Sequence, residues 1–321
     1  MRKKEYWHLT VLFILTIAAT VFYFLWDNLS LIPFIVQIRL KTILAIILSG
    51  TALAIATLLF HSLSNNRIIT PSSLGLEFLY VLVKTAVVFL FGSAFLLQIN
   101  TVVQFISGCL ILIAFALLLY RLFFKDGQQN IFFLLLVGMI ASSLFMTLNA
   151  FFGILMDPTE FQVAQDTGFA SFNKVDSEVL KIAAIIIIPL SIYALTLSKK
   201  LDVLILGRDS AINLGVNYEK LCQTALIIIA ILIASSTMLS GPMFFFGLLI
   251  LNLVLQFVPT FRHQILFPAI ILMSILILMI GQSIVFHALN FKTELSVIIN
   301  FIGGVYFFYL ILKVNRKWQL S

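Results

Sequence analysis

Uninterrupted apolar runs of about 20 residues, such as 42–60 and 224–239, recur along the whole chain, a length that suits a helix crossing the hydrocarbon core of a bilayer. In that medium each backbone N–H and C=O must be paired within the protein, so only helices and closed barrels span it. Barrel strands alternate polar and apolar residues over about 10 positions. The runs here do not alternate, and an all-α, polytopic membrane protein is expected. Composition agrees: 62% of the 321 residues are hydrophobic and 10% are charged, against about 45–50% and about 25% in soluble domains. Too little polar sequence remains to cover a water-exposed surface.

Ten membrane segments are predicted, near 7–26, 37–63, 74–92, 100–122, 130–153, 178–197, 221–240, 243–256, 265–288 and 295–313. The eighth is short for a crossing, so its parity needs a check from charge. Short cytoplasmic loops carry the excess of Lys and Arg. With the N-terminus inside, 14 of the 20 basic residues fall on the cytoplasmic side, among them Arg67, Arg121, Lys199, Lys200, Arg208 and Arg262, while Arg39, Lys41, Lys174, Lys181 and Lys292 lie outside or at outer ends. Both termini are therefore expected in the cytoplasm and the chain in the cell membrane. The run at 7–26 exceeds an ordinary signal-peptide core and offers no small-residue cleavage site, so it reads as the first span. The external loop near 153–177 carries Asp157, Glu160, Asp166 and Asp176 and reads as a water-exposed loop or surface helix. No soluble domain or internal repeat interrupts the pattern, and residues 1–321 are expected to form one transmembrane domain.

Several chemistries are excluded. The net charge of +7 is scattered beside apolar runs and forms no stripe, which argues against nucleic acid. Cys109 and Cys222 match no metal or redox spacing. His8, His61, His263 and His287 stand near segment ends with no i, i+4 pairing, so interfacial placement is expected and neither metal nor cofactor is implied. No G-x-x-x-x-G-K-S/T loop occurs, nor any Gly-Lys pair, so an ATP drive would belong to another subunit. No paired catalytic set such as H-E-x-x-H lies within the spans, and the chain is not read as an enzyme.

Three places stand out. Glu77 and Lys84 are ionisable residues within a predicted span, where charge is costly and faces a partner, a cavity or a pathway. Seven residues apart, they share a helical face with α-carbons about 10 Å apart. They form a local charge pair, or Lys84 reaches the outer interface, or they supply a charged lining for an anionic substrate. In the cytoplasmic stretch 201–220, Asp209 or Ser210 can cap a short helix that Gly215 ends, giving a rigid protrusion or a plain connector. Gly241 and Pro242 are expected to break the seventh segment from the eighth and to leave carbonyls facing a polar cavity, because Pro242 lacks an N–H and restricts the residue before it.

Residues 206–216, Leu-Gly-Arg-Asp-Ser-Ala-Ile-Asn-Leu-Gly-Val, resemble the cytoplasmic L-G-x-x-x-A-x-x-L-G-V signature of the permeases that import iron-siderophores, haem and cobalamin through ABC transporters. Residues 240–248, Ser-Gly-Pro-Met-Phe-Phe-Phe-Gly-Leu, are similar to the A-G-P-I-x-F-x-G-L segment of that family. Residues 66–75, Asn-Arg-Ile-Ile-Thr-Pro-Ser-Ser-Leu-Gly, resemble its N-P-L-A-x-P-x-x-L-G, and 38–42, Ile-Arg-Leu-Lys-Thr, its R-L-P-R-T. Departures exist. Ile250, Leu251, Asn252 and Leu255 replace the V-P-H-x-x-R that follows the Gly-Pro segment, 301–305 replaces L-I-G-A-P, and the proline of R-L-P-R is absent. The form at 70–75, with Asn252 in place of His, is most similar to the branch for catecholate and petrobactin-type siderophores.

The resemblance implies a ten-helix subunit that pairs with a second permease, identical or homologous. Two cytoplasmic ABC ATPases and an external siderophore-binding protein complete the importer. It implies that Arg208, Asp209, Ser210, Ala211, Ile212, Asn213, Leu214 and Gly215 form the ATPase-coupling helix, with Ala211→Arg expected to block docking in a folded protein. It also implies that Arg39 and Lys41 meet acidic residues of the binding protein, with Lys174 and Lys292 as weaker candidates. Anchoring at lipid headgroups is the alternative for Arg39 and Lys41. The rival function is a secondary transporter driven by an ion gradient.

Overall fold

A computed structural model describes residues 2–25, 33–124, 131–173, 175–289 and 293–318, and among them the chain forms helices and connecting segments with no strand. The helices are α1 (Arg2–Leu25), α2 (Pro33–Ser64), α3 (Leu76–Phe91), α4 (Ser93–Gln98), α5 (Thr101–Phe124), α6 (Ile131–Leu155), α7 (Pro158–Gly168), α8 (Ser177–Thr196), α9 (Ser198–Leu204), α10 (Arg208–Asn213), α11 (Tyr218–Ser240), α12 (Phe246–Phe257), α13 (His263–His287) and α14 (Leu295–Trp318). Each of the ten predicted segments falls on one helix, and α4, α7, α9 and α10 are short additions. Among the described residues, α1, α2, α5, α6, α8, α11 and α13 are long and apolar enough to cross a membrane. Helix α12, with 12 residues, reaches only about 18 Å at about 1.5 Å per residue. It needs the preceding turn to reach its depth.

Helices α2 and α11 form the centre, with α13, α8, α5 and α12 packed around them. Lipid tails are as apolar as leucine, so helices gain little by hiding leucine from lipid and associate instead through close packing and polar contacts. The sequence supplies both. Ala45, Ala52, Ala54 and Ala56 of α2 and Ala225, Ala230 and Ala234 of α11 are buried and let the backbones approach. Ser49 Oγ lies 2.6 Å from Ser236 Oγ and 2.7 Å from Ser240 Oγ, and Ser274 Oγ of α13 donates to Gly50 O at 2.8 Å. The residues left uncovered by this chain, such as Ile140 and Ile154 on α6 and Phe301 and Phe308 on α14, are large and apolar.

Between α2 and α3 the chain makes a 3-10 turn, Pro71–Leu74, which ends at Gly75 with φ +84°. Helix α3 therefore starts two residues later than predicted. The turn lies against α6 so closely that a Cβ at Gly138 would stand 2.8 Å from Ser73 O. The acidic loop near 153–177 contains α7, whose Glu160 accepts from the backbone N and Oγ of Ser93 at the start of α4.

Candidate functional site

The first candidate region is the segment joining α8 to α11. Helix α9 turns at Gly207, whose φ of +98° is open to glycine but strained for other residues, and six residues of α10 follow. The expected cap at Asp209 or Ser210 is corrected: Gly207 takes the N-cap position, and Asp209 lies in the first turn, where its charge suits the helix dipole. At the other end Gly215 N donates to Ile212 O at 2.9 Å and Val216 N to Ala211 O at 3.0 Å. With Gly215 at φ +80°, this is a Schellman closure, which fixes the helix as a compact protrusion. Arg208, Asp209, Ser210, Ile212, Asn213, Leu214 and Gly215 are exposed, and Leu206 beside them is too. Ala211 is not. At 0% exposure it faces the body of the protein, so the expectation that Ala211→Arg would act on docking alone is corrected: an arginine there would first displace α10.

The second region surrounds the break between α11 and α12. Helix α11 ends at Ser240, Gly241 adopts φ +89° and ψ 176°, and α12 resumes at Phe246. A Cβ on Gly241 would sit 2.6 Å from Ala170 Cα, so the turn and the 169–171 loop lie backbone to backbone. Ser171 N donates to Ser240 O at 2.8 Å, which occupies one carbonyl freed by the break. Met243 N donates to Glu77 Oε1 at 3.2 Å. Glu77 is 1% exposed, and through Met243 its carboxylate ties the start of α3 to the 240–248 motif.

Beside this turn lies a cavity of about 370 Å³ lined by α3, α6, α7, the turn and α14. Phe78, Phe145, Phe169 and Phe244 form aromatic wall, and Phe78 stacks on Phe244 with centroids 4.5 Å apart. Asn149, Gln165, Ser296 and Asn300 supply neutral polar groups, and no acidic or basic side chain is among the lining residues. Such a wall can stack and hydrogen-bond a large polar ligand without holding it by charge.

Glu77 and Lys84 do not pair. Lys84 Nζ donates to Gln104 Oε1 of α5 at 2.8 Å and lies 5.9 Å from the Tyr80 ring centroid, beside a separate apolar cavity. Glu77 is absent from the lining of the aromatic cavity. The docking expectation for Arg39 is also corrected. Arg39 is 3% exposed, its Nη1 donates to Phe24 O at 2.6 Å, and its guanidinium sits 5.1 Å from the Phe286 centroid. It locks α2 against α1 and α13 and offers no surface. Lys41 stays half-exposed. Lys174 and Lys292 lie outside the described residues. Among the described residues, no three His, Cys, Asp or Glu side chains gather as a metal site.

The profile of the FecCD transport family matches residues 6–313. The chain belongs to the FecCD transport family. This FecCD-family chain is 46% identical over 280 residues, 87% of its length and 89% of the relative's, to the petrobactin import system permease protein YclO of Bacillus subtilis (strain 168). It is 33% identical over 287 residues, 89% of its length and 81% of the relative's, to the petrobactin import system permease protein FatC of Bacillus anthracis. A solved metal-chelate type ABC transporter in an inward-facing conformation shares its fold, with TM-score 0.83, 22% identity and coverage of 96% and 99% of the two chains. The family is one of transporters, and this member is a multi-span helical membrane protein.

Sequence reasoning missed the four amide and hydroxyl residues of the cavity. A signal was present, because Asn149 and Asn300 each place a carboxamide inside a predicted span. His61 and His263 stand at helix ends, as expected, and are buried there against other parts of the chain.

Proposed function

We propose that this chain is the membrane-spanning permease subunit of an ABC importer that carries ferric siderophore of the catecholate, petrobactin type into the cytoplasm. ATP would be hydrolysed on separate subunits. The observation that carries the proposal is the 46% identity, over 87% of the chain, to a permease named for petrobactin import. The uncharged cavity supports it physically. A ferric catecholate is a bulky anion with aromatic rings, and conduction needs sites that bind it weakly enough to let it leave.

In this reading residues 1–321 act as one transmembrane domain with both termini in the cytoplasm, as the Lys and Arg distribution indicates. A second permease, identical or homologous, covers the uncovered apolar faces, and lipid covers the rest. The exposed face of α10 seats in a cytoplasmic ATPase. A siderophore-binding protein docks outside, with half-exposed Lys41 as its basic contact. Lys41→Glu should weaken that association in a salt-dependent way while ATPase binding persists.

A secondary transporter driven by an ion gradient needs an ionisable relay across the membrane. Glu77 and Lys84 are each held by neutral partners in different places, which gives such a relay no support. The test is uptake of iron-labelled ferric petrobactin in a strain lacking this gene. Restoration by this chain, lost when the ATPase P-loop lysine is replaced, is the expected result. Uptake that survives that replacement, or restoration of hydroxamate uptake alone, overturns the proposal.

A further inference from the structure

Ser62, Asp202 and His263 are 61 to 201 residues apart in sequence and meet in one hydrogen-bonded chain. The His263 side chain is 0% exposed. Its Nδ1 lies 2.7 Å from Asp202 Oδ1, its backbone N donates to the same oxygen at 2.8 Å, and its Nε2 lies 2.7 Å from Ser62 Oγ. A carboxylate can only accept, so Nδ1 carries a proton. The three residue types match a hydrolase triad, but Ser62 is buried and bonds Leu58 O within its own helix. A substrate has no approach, and the arrangement joins helices instead.

The joined helices are informative. Asp202 lies on α9, which leads through Gly207 into α10. His263 is the first residue of α13, and Ser62 stands in the last turn of α2. Helix α2 then runs about 20 Å from Ser62 to Ser49 at about 1.5 Å per residue. There Ser49 bonds Ser240, the residue before the Gly241–Pro242 break beside the aromatic cavity. A continuous series of rigid helices and buried polar ties thus connects the α9–α10 elbow to the cavity wall.

We propose that His263 is the positioning residue that couples the α9–α10 elbow to the membrane core: displacement of α10 moves α9, and Asp202 transmits it through His263 to α13 and, through Ser62, to α2. This inference rests on the importer reading above. Hydrogen bonds to the fully buried His263 ring, costly to leave unmade, suit the task because they resist slipping where apolar contacts slide.

The experiment uses the full importer, with ATPases, partner permease and binding protein, in proteoliposomes loaded with ATP. Iron delivered per ATP hydrolysed is compared for wild type, Asp202→Ala, Ser62→Ala and Asp202→Asn. Asp202→Ala should keep assembly and ATP hydrolysis while the delivered iron per ATP falls by about tenfold, the scale of one lost charged hydrogen bond. Ser62→Ala should lower it less, and Asp202→Asn, whose amide oxygen still accepts, should restore most of it. A merely structural role would lower assembly, melting temperature and transport together and leave the ratio unchanged, and that result overturns the proposal. Should Asp202→Ala not assemble, Asp202→Asn and Ser62→Ala decide: an unchanged ratio in Ser62→Ala also overturns it. A wild-type complex that neither hydrolyses ATP nor delivers iron overturns the importer reading and this inference with it.

Discussion

Helix α2 and helix α6 are both long and apolar, yet 83% of the α2 span is buried inside the chain and only 22% of the α6 span. The difference lies in where the small residues and the polar atoms sit, since both helices carry glycine, alanine and serine among large apolar residues. Along α2, Ala45, Gly50, Ala52, Ala54 and Ala56 are buried between its leucines and isoleucines, and Ser49 and Ser62 bond neighbouring helices. Helices α6 and α14 turn large apolar side chains outward and place Asn149 and Asn300 at the cavity. Small residues at the contacts make an interior fixed by close packing, and large uncovered ones make a face suited to lipid or to a second subunit.

The sharpest way to break the fixed interior is at Gly241. Gly241→Val combines positive-φ strain with a clash against the Ala170 backbone and should cost about 4 kcal/mol. Thermal unfolding in detergent should show a large drop in melting temperature. At the exposed α10 protrusion the comparison predicts a split. Ala211→Arg should raise protease sensitivity around 205–216 and lose ATPase association, whereas Ile212→Glu should leave the protease pattern intact and weaken association by about tenfold, as truncating one good interface contact does. Equal protease patterns in the two variants would remove the distinction between the inner and outer faces of α10.

In the cavity, Asn300→Lys should slow uptake of an anionic chelate on the order of tenfold, about 1.4 kcal/mol of extra trapping. Unchanged uptake kinetics would take the cavity out of the pathway. The smallest effect belongs to Ser49→Ala, because hydrogen bonds between membrane helices average about 0.6 kcal/mol. Chemical denaturation in mixed micelles should resolve a shift of that size, and a much larger one would mark Ser49 as a keystone of the α2–α11 contact.

The helices were legible because a run of about 20 apolar residues has one solution in lipid, and the break at Gly241–Pro242 because proline removes a donor wherever it stands. Residue roles that depend on a neighbour were not legible. Arg39 reads from sequence as an interfacial cation, and only the approach of Phe24 O and Phe286 makes it a buried clasp. Ala211 stands in the middle of an exposed motif, and only the direction of α10 turns it inward. Ser62, Asp202 and His263 carry no common spacing, so nothing in the one-dimensional pattern unites them. The cavity amides were hidden because a single asparagine within an apolar run looks the same whether it faces a neighbouring helix or a passage.

The α10 protrusion has one more consequence, in the life history of the polypeptide. Leu206, Ile212 and Leu214 leave three bulky apolar side chains uncovered beside arginine and aspartate. In the proposed importer an ATPase seated on α10 would mask them. On a newly inserted subunit that has found no ATPase they remain on display to cytoplasmic chaperones and proteases, which recognise such surfaces. If α10 meshes with the ATPase as proposed, the same residues should also police the stoichiometry of the importer, and pulse-chase labelling should find a shorter half-life for this chain when the ATPase is withheld.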